Sequence, residues 1–181
     1  MNLPNKVTLV RIFLIPAFVF VYIMQPFSRE SANIWLSLIL FSFAAITDAI
    51  DGYLARKMGL VTNFGKLMDP LADKLLVSSA LILFTAAGIL PAWAVLLLIS
   101  REFYISGLRQ LAVEQGLVLA ASSGGKLKTI FQMTLIIYIL LPFPLNVLVF
   151  DIVIWILLII TLVVSVLSAI DYTRKNIAIF K

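Results

Sequence analysis

The sequence predicts an all-α polytopic membrane protein: one domain over residues 1–181, with six transmembrane helices and a short N-terminal interfacial helix. Three observations lead there. The 181 residues are 62% hydrophobic and 13% charged, with a mean hydropathy of +1.11, far less polar than a soluble domain of that length. Uncharged runs recur at lengths near the roughly 20 residues that a helical span needs. Proline, glycine and asparagine fall between the runs, and neither strand alternation nor an internal repeat interrupts them.

The elements follow in order. Lys6 and Arg11 precede the apolar run 12–28, as in a signal peptide, but no small-residue cleavage site follows. The run is therefore expected to stay as the first span, with residues 2–8 as its amphipathic, interfacial start. Residues 31–47 give the second span, which continues through Asp48 and Asp51. The run 75–100 is broken by Gly88 and Pro91 and is too short for two complete helices. The third span is thus expected to start near Asp69, and the fourth to run past Arg101 towards Glu114. Residues 129–150 hold the fifth, closed by Pro142, Pro144 and Asn146, and 152–170 hold the sixth.

Charge orients this bundle and excludes several chemistries. Lys6, Arg11, Arg56, Lys57, Lys66, Lys74, Arg101, Arg109, Lys126, Lys128, Arg174, Lys175 and Lys181 all fall towards one side, and only Arg29 towards the other. The positive-inside bias puts that side, with both termini and the acidic residues below, in the cytoplasm. The net charge of +5 then reflects topology and anionic headgroups, so no nucleic acid is expected as a partner. With no cysteine and no histidine, disulfides, thiolate nucleophiles, imidazole bases and the usual zinc ligands are excluded. Acid–base work falls to carboxylates, lysine, tyrosine or water.

The most informative residues are four aspartates. Asp48-Ala49-Ile50-Asp51-Gly52-Tyr53-Leu54-Ala55-Arg56 is followed, after eight residues, by Gly65-Lys66-Leu67-Met68-Asp69-Pro70-Leu71-Ala72-Asp73. A carboxylate at the bilayer centre costs roughly 2.5–3.5 kcal/mol on insertion scales, less near an interface, so four together demand compensation. Spacings of three and four put each pair on one helix face. One pair closes a span and the other opens the next, so all four can converge. Oxygen-only donors of this kind suit Mg2+ or Mn2+. Gly52 and Gly65 weaken a helix but let a ligand approach the backbone beside the carboxylates. Read as structure alone, the aspartates would form interfacial ion pairs with Arg56, Lys57, Lys66 and Lys74, which contribute little.

A second constellation is basic. Arg101 and Arg109 lie eight residues apart, about two turns, with Glu102 as the acidic neighbour of Arg101. As topology residues they would snorkel to headgroups. As functional residues, with Lys126 and Lys128, they would bind the phosphate of an anionic acceptor. Ser122-Ser123-Gly124-Gly125 would add backbone amides at a helix start. Asp171 is expected to cap its helix or pair with Arg174, Asp151 to mark the outer start of the sixth span, and Phe143 and Trp155 to be ordinary lipid- or core-facing aromatics.

The pattern D-x-x-D-G-x-x-A-R, eight residues, G-x-x-x-D-x-x-x-D is similar at every fixed position to the signature of the CDP-alcohol phosphotransferase family. The resemblance extends to Asn2-Leu3-Pro4-Asn5-Lys6-Val7-Thr8-Leu9-Val10-Arg11, to 100–109, to Gly125-Lys126-Leu127-Lys128-Thr129 and to Asp171-Tyr172, and so covers essentially the whole chain. It implies a homodimeric, multi-pass enzyme of the bacterial cell membrane. Two divalent ions would sit between spans two and three, one held by Asp48, Asp51 and Asp69, the other by Asp48, Asp69 and Asp73. Gly52 and Gly65 would line a cytidine pocket, Arg56 would contact phosphates, and Asp73 would act as general base. The implied reaction carries the phosphatidyl group of CDP-diacylglycerol to the 1-hydroxyl of sn-glycerol 3-phosphate and releases CMP. Inositol phosphate, serine and phosphatidylglycerol remain alternative acceptors. Outside the enzyme class, a cation transporter is the rival reading, although transporters bind near the midplane and often carry repeats.

Overall fold

The computed structural model describes residues 3–24, 32–58, 63–117, 123–142 and 147–177, with side chains at all of these except 3–8, 32, 48–58, 63–67, 69 and 70. Six α-helices and no strand occur among the described residues. They are α1 (Leu3–Ile23), α2 (Ala32–Met58), α3 (Asn63–Ala86), α4 (Ala92–Glu114), α5 (Ser123–Leu140) and α6 (Val147–Lys175). An apolar chain favours this solution, because each helix satisfies its own backbone polar groups without water. Among the described residues no separate interfacial helix precedes α1: the segment expected there supplies the first turns of one continuous helix from Leu3. Pro4 does not prevent this, since the first turn of a helix lacks partners for its N–H groups anyway. Three other helices begin earlier than expected, α3 at Asn63 rather than near Asp69, α5 at Ser123 rather than at Thr129, and α6 at Val147 rather than at Ile152, so Asp151 lies in the second turn of α6 and not at its start.

The chain divides into two compact units, Met1–Ala87 with Leu140–Pro144, and Gly88–Ile139 with Leu145–Lys181. In the first, α1, α2 and α3 pack on one another. Their buried positions recur at helical spacing: Arg11, Ile15, Phe18 and Tyr22 on α1; Ile34, Ser37, Phe41 and Ala44 on α2; Ala72, Leu76, Ala80 and Phe84 on α3. Between helices this apolar, close side-chain packing holds the seam. Here a chain of rings does so. Phe18 meets Phe41 with centroids 5.7 Å apart, and Tyr22 meets Phe84 edge-on at 5.7 Å. Such pairs add about 0.5–1.5 kcal/mol each beyond the area they bury.

In the second unit, α4 packs on α6. Gly88, at φ +72°, takes the left-handed conformation after α3, and Pro91 then opens α4. The far end of α4 is closed by a Schellman turn. Gly116 takes φ +73°, its N–H reaches the Val113 carbonyl at 3.0 Å, and the Leu117 N–H reaches Ala112 at 2.8 Å. That turn explains why the helix runs to Glu114 and no further. The buried face of α6 reads Phe150, Ile154, Leu158, Thr161, Ser165, Ser168 and Tyr172. Small hydroxyl residues there let neighbouring helices come close. Thr161 and Ser168 donate to the Leu157 and Ser165 carbonyls at 2.7 and 2.9 Å. The opposite face exposes Ile152, Ile156, Ile159, Val163, Leu167 and Ile170. By length and composition, α6 is the helix among the described residues able to cross a membrane.

Candidate functional site

The backbone of α2 carries Asp48, Asp51, Gly52 and Arg56, and that of α3 carries Gly65, Asp69 and Asp73. Both aspartate pairs are therefore helical, at the spacings that keep each pair on one face. The two helices pack against each other. The side chains of Asp48, Asp51, Gly52, Arg56, Gly65 and Asp69 lie outside the described ones. Asp73 is described, half-buried and in contact with partners. All the carboxylate donors thus come from two adjacent helices, with no softer ligand in the chain. That donor set fits a hard divalent cation.

The basic constellation is fully described and lies in the second unit. Arg101 and Glu102 are neighbours on α4. Arg101 Nη1 donates to Glu102 Oε1 at 3.3 Å, and Nη2 donates to Ser168 Oγ of α6 at 2.8 Å. Lys128 of α5 reaches the same Glu102 Oε1 with its ammonium. Their side chains are 11%, 24% and 4% exposed for Arg101, Glu102 and Lys128, so two sequestered cations share one carboxylate. Buried charge of one sign in excess calls for an anion. Arg101 Nε is buried and carries a donor with no partner among the described residues.

Further along, Arg109 Nε donates to the Tyr172 hydroxyl at 3.2 Å, and its guanidinium lies 5.6 Å from the ring centroid. Tyr104 and Thr173 share a hydroxyl–hydroxyl bond of 3.1 Å. Sequence separations of 67, 69 and 63 across these pairs show that α4 and α6 run in the same direction. Arg101 and Arg109 therefore both address the last turns of α6. Ile105, Leu108 and Tyr172 pack between them as an apolar floor.

The start of α5 enters the same cluster. A Cβ on Gly124 would meet Ser168 Cβ at 3.0 Å, so glycine lets α5 approach the residue that Arg101 holds. Lys126 and Lys128 are two residues apart, about 200° round the helix, and they diverge. Lys128 is buried, whereas Lys126 is exposed at the head of an open groove lined by Thr129, Ile130, Met133, Thr134 and Ile137. The structure thus gathers Arg101, Lys128 and, through α6, Arg109, and leaves Lys126 apart.

Sequence reasoning did not single out Ser168 or the contact of Tyr172. Their signal was the seam Ser165, Ser168, Tyr172 at intervals of three and four inside an apolar run. Asp171 pairs with Lys175 at 2.7 Å rather than with Arg174, the i,i+4 partner winning over i,i+3. Trp155 is about half exposed on the outer face of α6.

A family model described as CDP-alcohol phosphatidyltransferase matches residues 1–167. The Bacillus subtilis (strain 168) protein named CDP-diacylglycerol–glycerol-3-phosphate 3-phosphatidyltransferase is 44% identical, over 97% of this chain and 95% of its own. A Rickettsia bellii protein of the same name is 42% identical over 73% of this chain and 71% of its own. A probable phosphatidylglycerophosphate synthase of Mycobacterium tuberculosis (strain ATCC 25618 / H37Rv) is 40% identical over 78% of this chain and 66% of its own.

Proposed function

The chain belongs to the CDP-alcohol phosphatidyltransferase family, a family of transferases, and we propose that it moves the phosphatidyl group of CDP-diacylglycerol to sn-glycerol 3-phosphate. The products are phosphatidylglycerophosphate and CMP. The acceptor's 1-hydroxyl oxygen forms a bond to the lipid-linked phosphorus, the bond from that phosphorus to the CMP oxygen breaks, and the hydroxyl proton passes to Asp73. A carboxylate within reach of the hydroxyl suits that role, since general bases supply about 10²–10⁴ in rate. Gly52 and Gly65 admit the nucleotide to the backbone, and Arg56 binds its phosphates. Asp48, Asp51, Asp69 and Asp73 would hold two Mg2+ or Mn2+ ions, which when bound neutralise charge on the diphosphate.

The observation that carries the acceptor assignment is the cation excess on α4 and α5. Arg101 and Lys128 share the single carboxylate of Glu102, and Arg109 lies beyond them without an acidic contact among the described pairs. A neutral alcohol offers such a cluster nothing, whereas a phosphate dianion offers charge-assisted bonds of about 1.5–3 kcal/mol each. The test is CMP release by the purified protein given CDP-diacylglycerol and a panel of acceptors. Glycerol 3-phosphate should be used, and glycerol, serine and inositol ignored. Equal turnover with glycerol would remove the phosphate site, and preference for inositol phosphate or phosphatidylglycerol would reassign the acceptor.

In this reading the six helices are spans in the bacterial cell membrane, with the aspartates and both termini cytoplasmic, and the enzyme is a homodimer. The basic residues support the orientation. A cysteine label at residue 63 or 123 should react only from the cytoplasm, and one at residue 88 or 146 only from outside. External reaction at 63 in intact cells would reverse the topology. Its mass in detergent tests the dimer.

A further inference from the structure

Arg11 is fully buried, at 0% exposure. A guanidinium stays charged at any working pH, and a charge withdrawn from water needs charge of opposite sign nearby. Arg11 does not stand free, and its position along α1 shows which helices are level with it. Asn33 Nδ2 donates to the Met24 carbonyl at 3.3 Å, so α2 begins beside the end of α1 and the two run antiparallel. Phe18 then meets Phe41. Arg11 lies seven residues before Phe18, and Asp48 lies seven after Phe41. Seven residues are two turns and return to nearly the same helix face, so Arg11 and Asp48 occupy one level.

The third helix gives the same level independently. A short connection joins α3 to α2, and the two pack, so α3 runs parallel to α1. Tyr22 meets Phe84. Counting back eleven residues from each ring, about three turns, reaches Arg11 on α1 and Asp73 on α3. Two separate ring contacts converge on Arg11, Asp48 and Asp73. Lys74, the other described cation of α3 here, follows Asp73 by one residue, about 100° further round the helix. It is only half-buried, so water screens it.

The geometry points to Arg11 as a built-in counter-cation for the carboxylate cluster, a positioning residue that offsets the aspartates' mutual repulsion whenever the site holds no metal ion. The inference rests on the metal-site reading of the four aspartates. It explains how an apolar chain tolerates them between turnovers, and why the compensating charge comes from α1 rather than from half-buried Lys74.

Thermal unfolding of the purified protein in detergent, with chelator and no substrate, reads that charge balance. Arg11→Gln should lower the metal-free unfolding temperature by about 6–20 °C, and added Mn2+ should restore most of the loss. Arg11→Lys should lose less. Asp48→Asn introduced into Arg11→Gln should raise the temperature again, by more than it does in the wild type. Additive substitutions, or a loss that Mn2+ leaves untouched, would overturn the inference. Should Arg11→Gln fail to accumulate folded protein, the Arg11→Gln/Asp48→Asn pair should recover it, and failure to recover counts against the inference equally. Wild-type CMP release separates this from the proposed reaction: turnover with additive substitutions removes only the role of Arg11, and coupling without turnover removes only the reaction.

Discussion

In the α1–α3 unit one fully buried arginine, Arg11, is level with aspartates on α2 and α3, whereas in the α4–α6 unit the buried Lys128 and the part-buried Arg101 share the carboxylate of Glu102. On the proposed reading the four aspartates outnumber the one buried arginine at the first unit's site, whereas in the second unit Arg101 and Lys128 outnumber Glu102. Each leftover charge is costly in an apolar setting, and on the proposed reading each would be cancelled by a ligand: divalent cations in the first unit, a phosphate in the second. On that reading the difference teaches how a chain that is 13% charged would bind two strongly hydrated species. It leaves each helix cluster one sign short.

The strongest way to break the comparison is to remove the acid excess. Asp69→Asn and Asp48→Asn should abolish CMP release, and chelation of the wild type should do the same until Mg2+ or Mn2+ is returned. Membrane insertion should survive, because an amide costs less to insert than a carboxylate. Full turnover in excess chelator would show that the aspartates hold no metal and that the unit's charge excess has another purpose.

Asp73→Asn should act one step lower. It keeps an oxygen beside the site but takes no proton, so turnover should fall about 10²–10⁴-fold while binding of CDP-diacylglycerol changes far less. Normal turnover of this variant would pass the proton to water or to another residue, and Asp73 would join the other three aspartates as a ligand only.

The helical placement of both aspartate pairs was legible in the sequence because its information is local: spacings of three and four within one helix set a face without any knowledge of neighbours. The charge runs likewise located six helices, and errors fell at their ends: at Leu3, Asn63 and Ser123, where amphipathic turns look like loops to a hydropathy reading, and at Val147, where Asp151 breaks the apolar run. The basic site was only half legible. Arg101 and Arg109 stood out as charges in an apolar context, but their partners Ser168 and Tyr172 are 67 and 63 residues away. No periodicity within one helix predicts such a pairing. The burial of Arg11 was hidden for the same reason: it depends on α2 and α3 lying beside α1, and the residue itself reads as one more positive-inside charge.

Arg109→Ala sharpens the second half of the comparison. Losing one charge-assisted contact should raise the KM for glycerol 3-phosphate roughly tenfold to a hundredfold, with binding of CDP-diacylglycerol nearly unchanged. Arg109→Lys should recover part of the loss, because an ammonium restores charge but lacks the planar fork, which bonds Tyr172 and would leave further donors for a phosphate. An unchanged KM in an Arg101→Ala/Arg109→Ala double variant would mean that the base excess does not bind the acceptor.

The smallest expected effect separates two lysines that look equivalent in the sequence. Lys128 is buried against Glu102, and removing it leaves that carboxylate to Arg101 alone, which Ser168 also holds. Lys128→Ala should therefore destabilise the protein by about 1–3 kcal/mol, less than a fully buried pair would lose, because Glu102 keeps one partner and some water. It should also let Arg101 turn towards Glu102 and so weaken acceptor binding. Lys126, on the opposite side of α5, heads an exposed groove and makes none of these contacts. Solvated charges of this kind shift stability by no more than about 0.5 kcal/mol, which corresponds to roughly a twofold change in an equilibrium constant. Lys126→Ala should thus leave the acceptor KM within about twofold of the wild type. Parallel measurement of unfolding temperature and KM in the two variants decides the matter. A Lys126→Ala loss as large as that of Lys128→Ala would bring Lys126 into the acceptor site and make the outer groove of α5 part of the phosphate's approach.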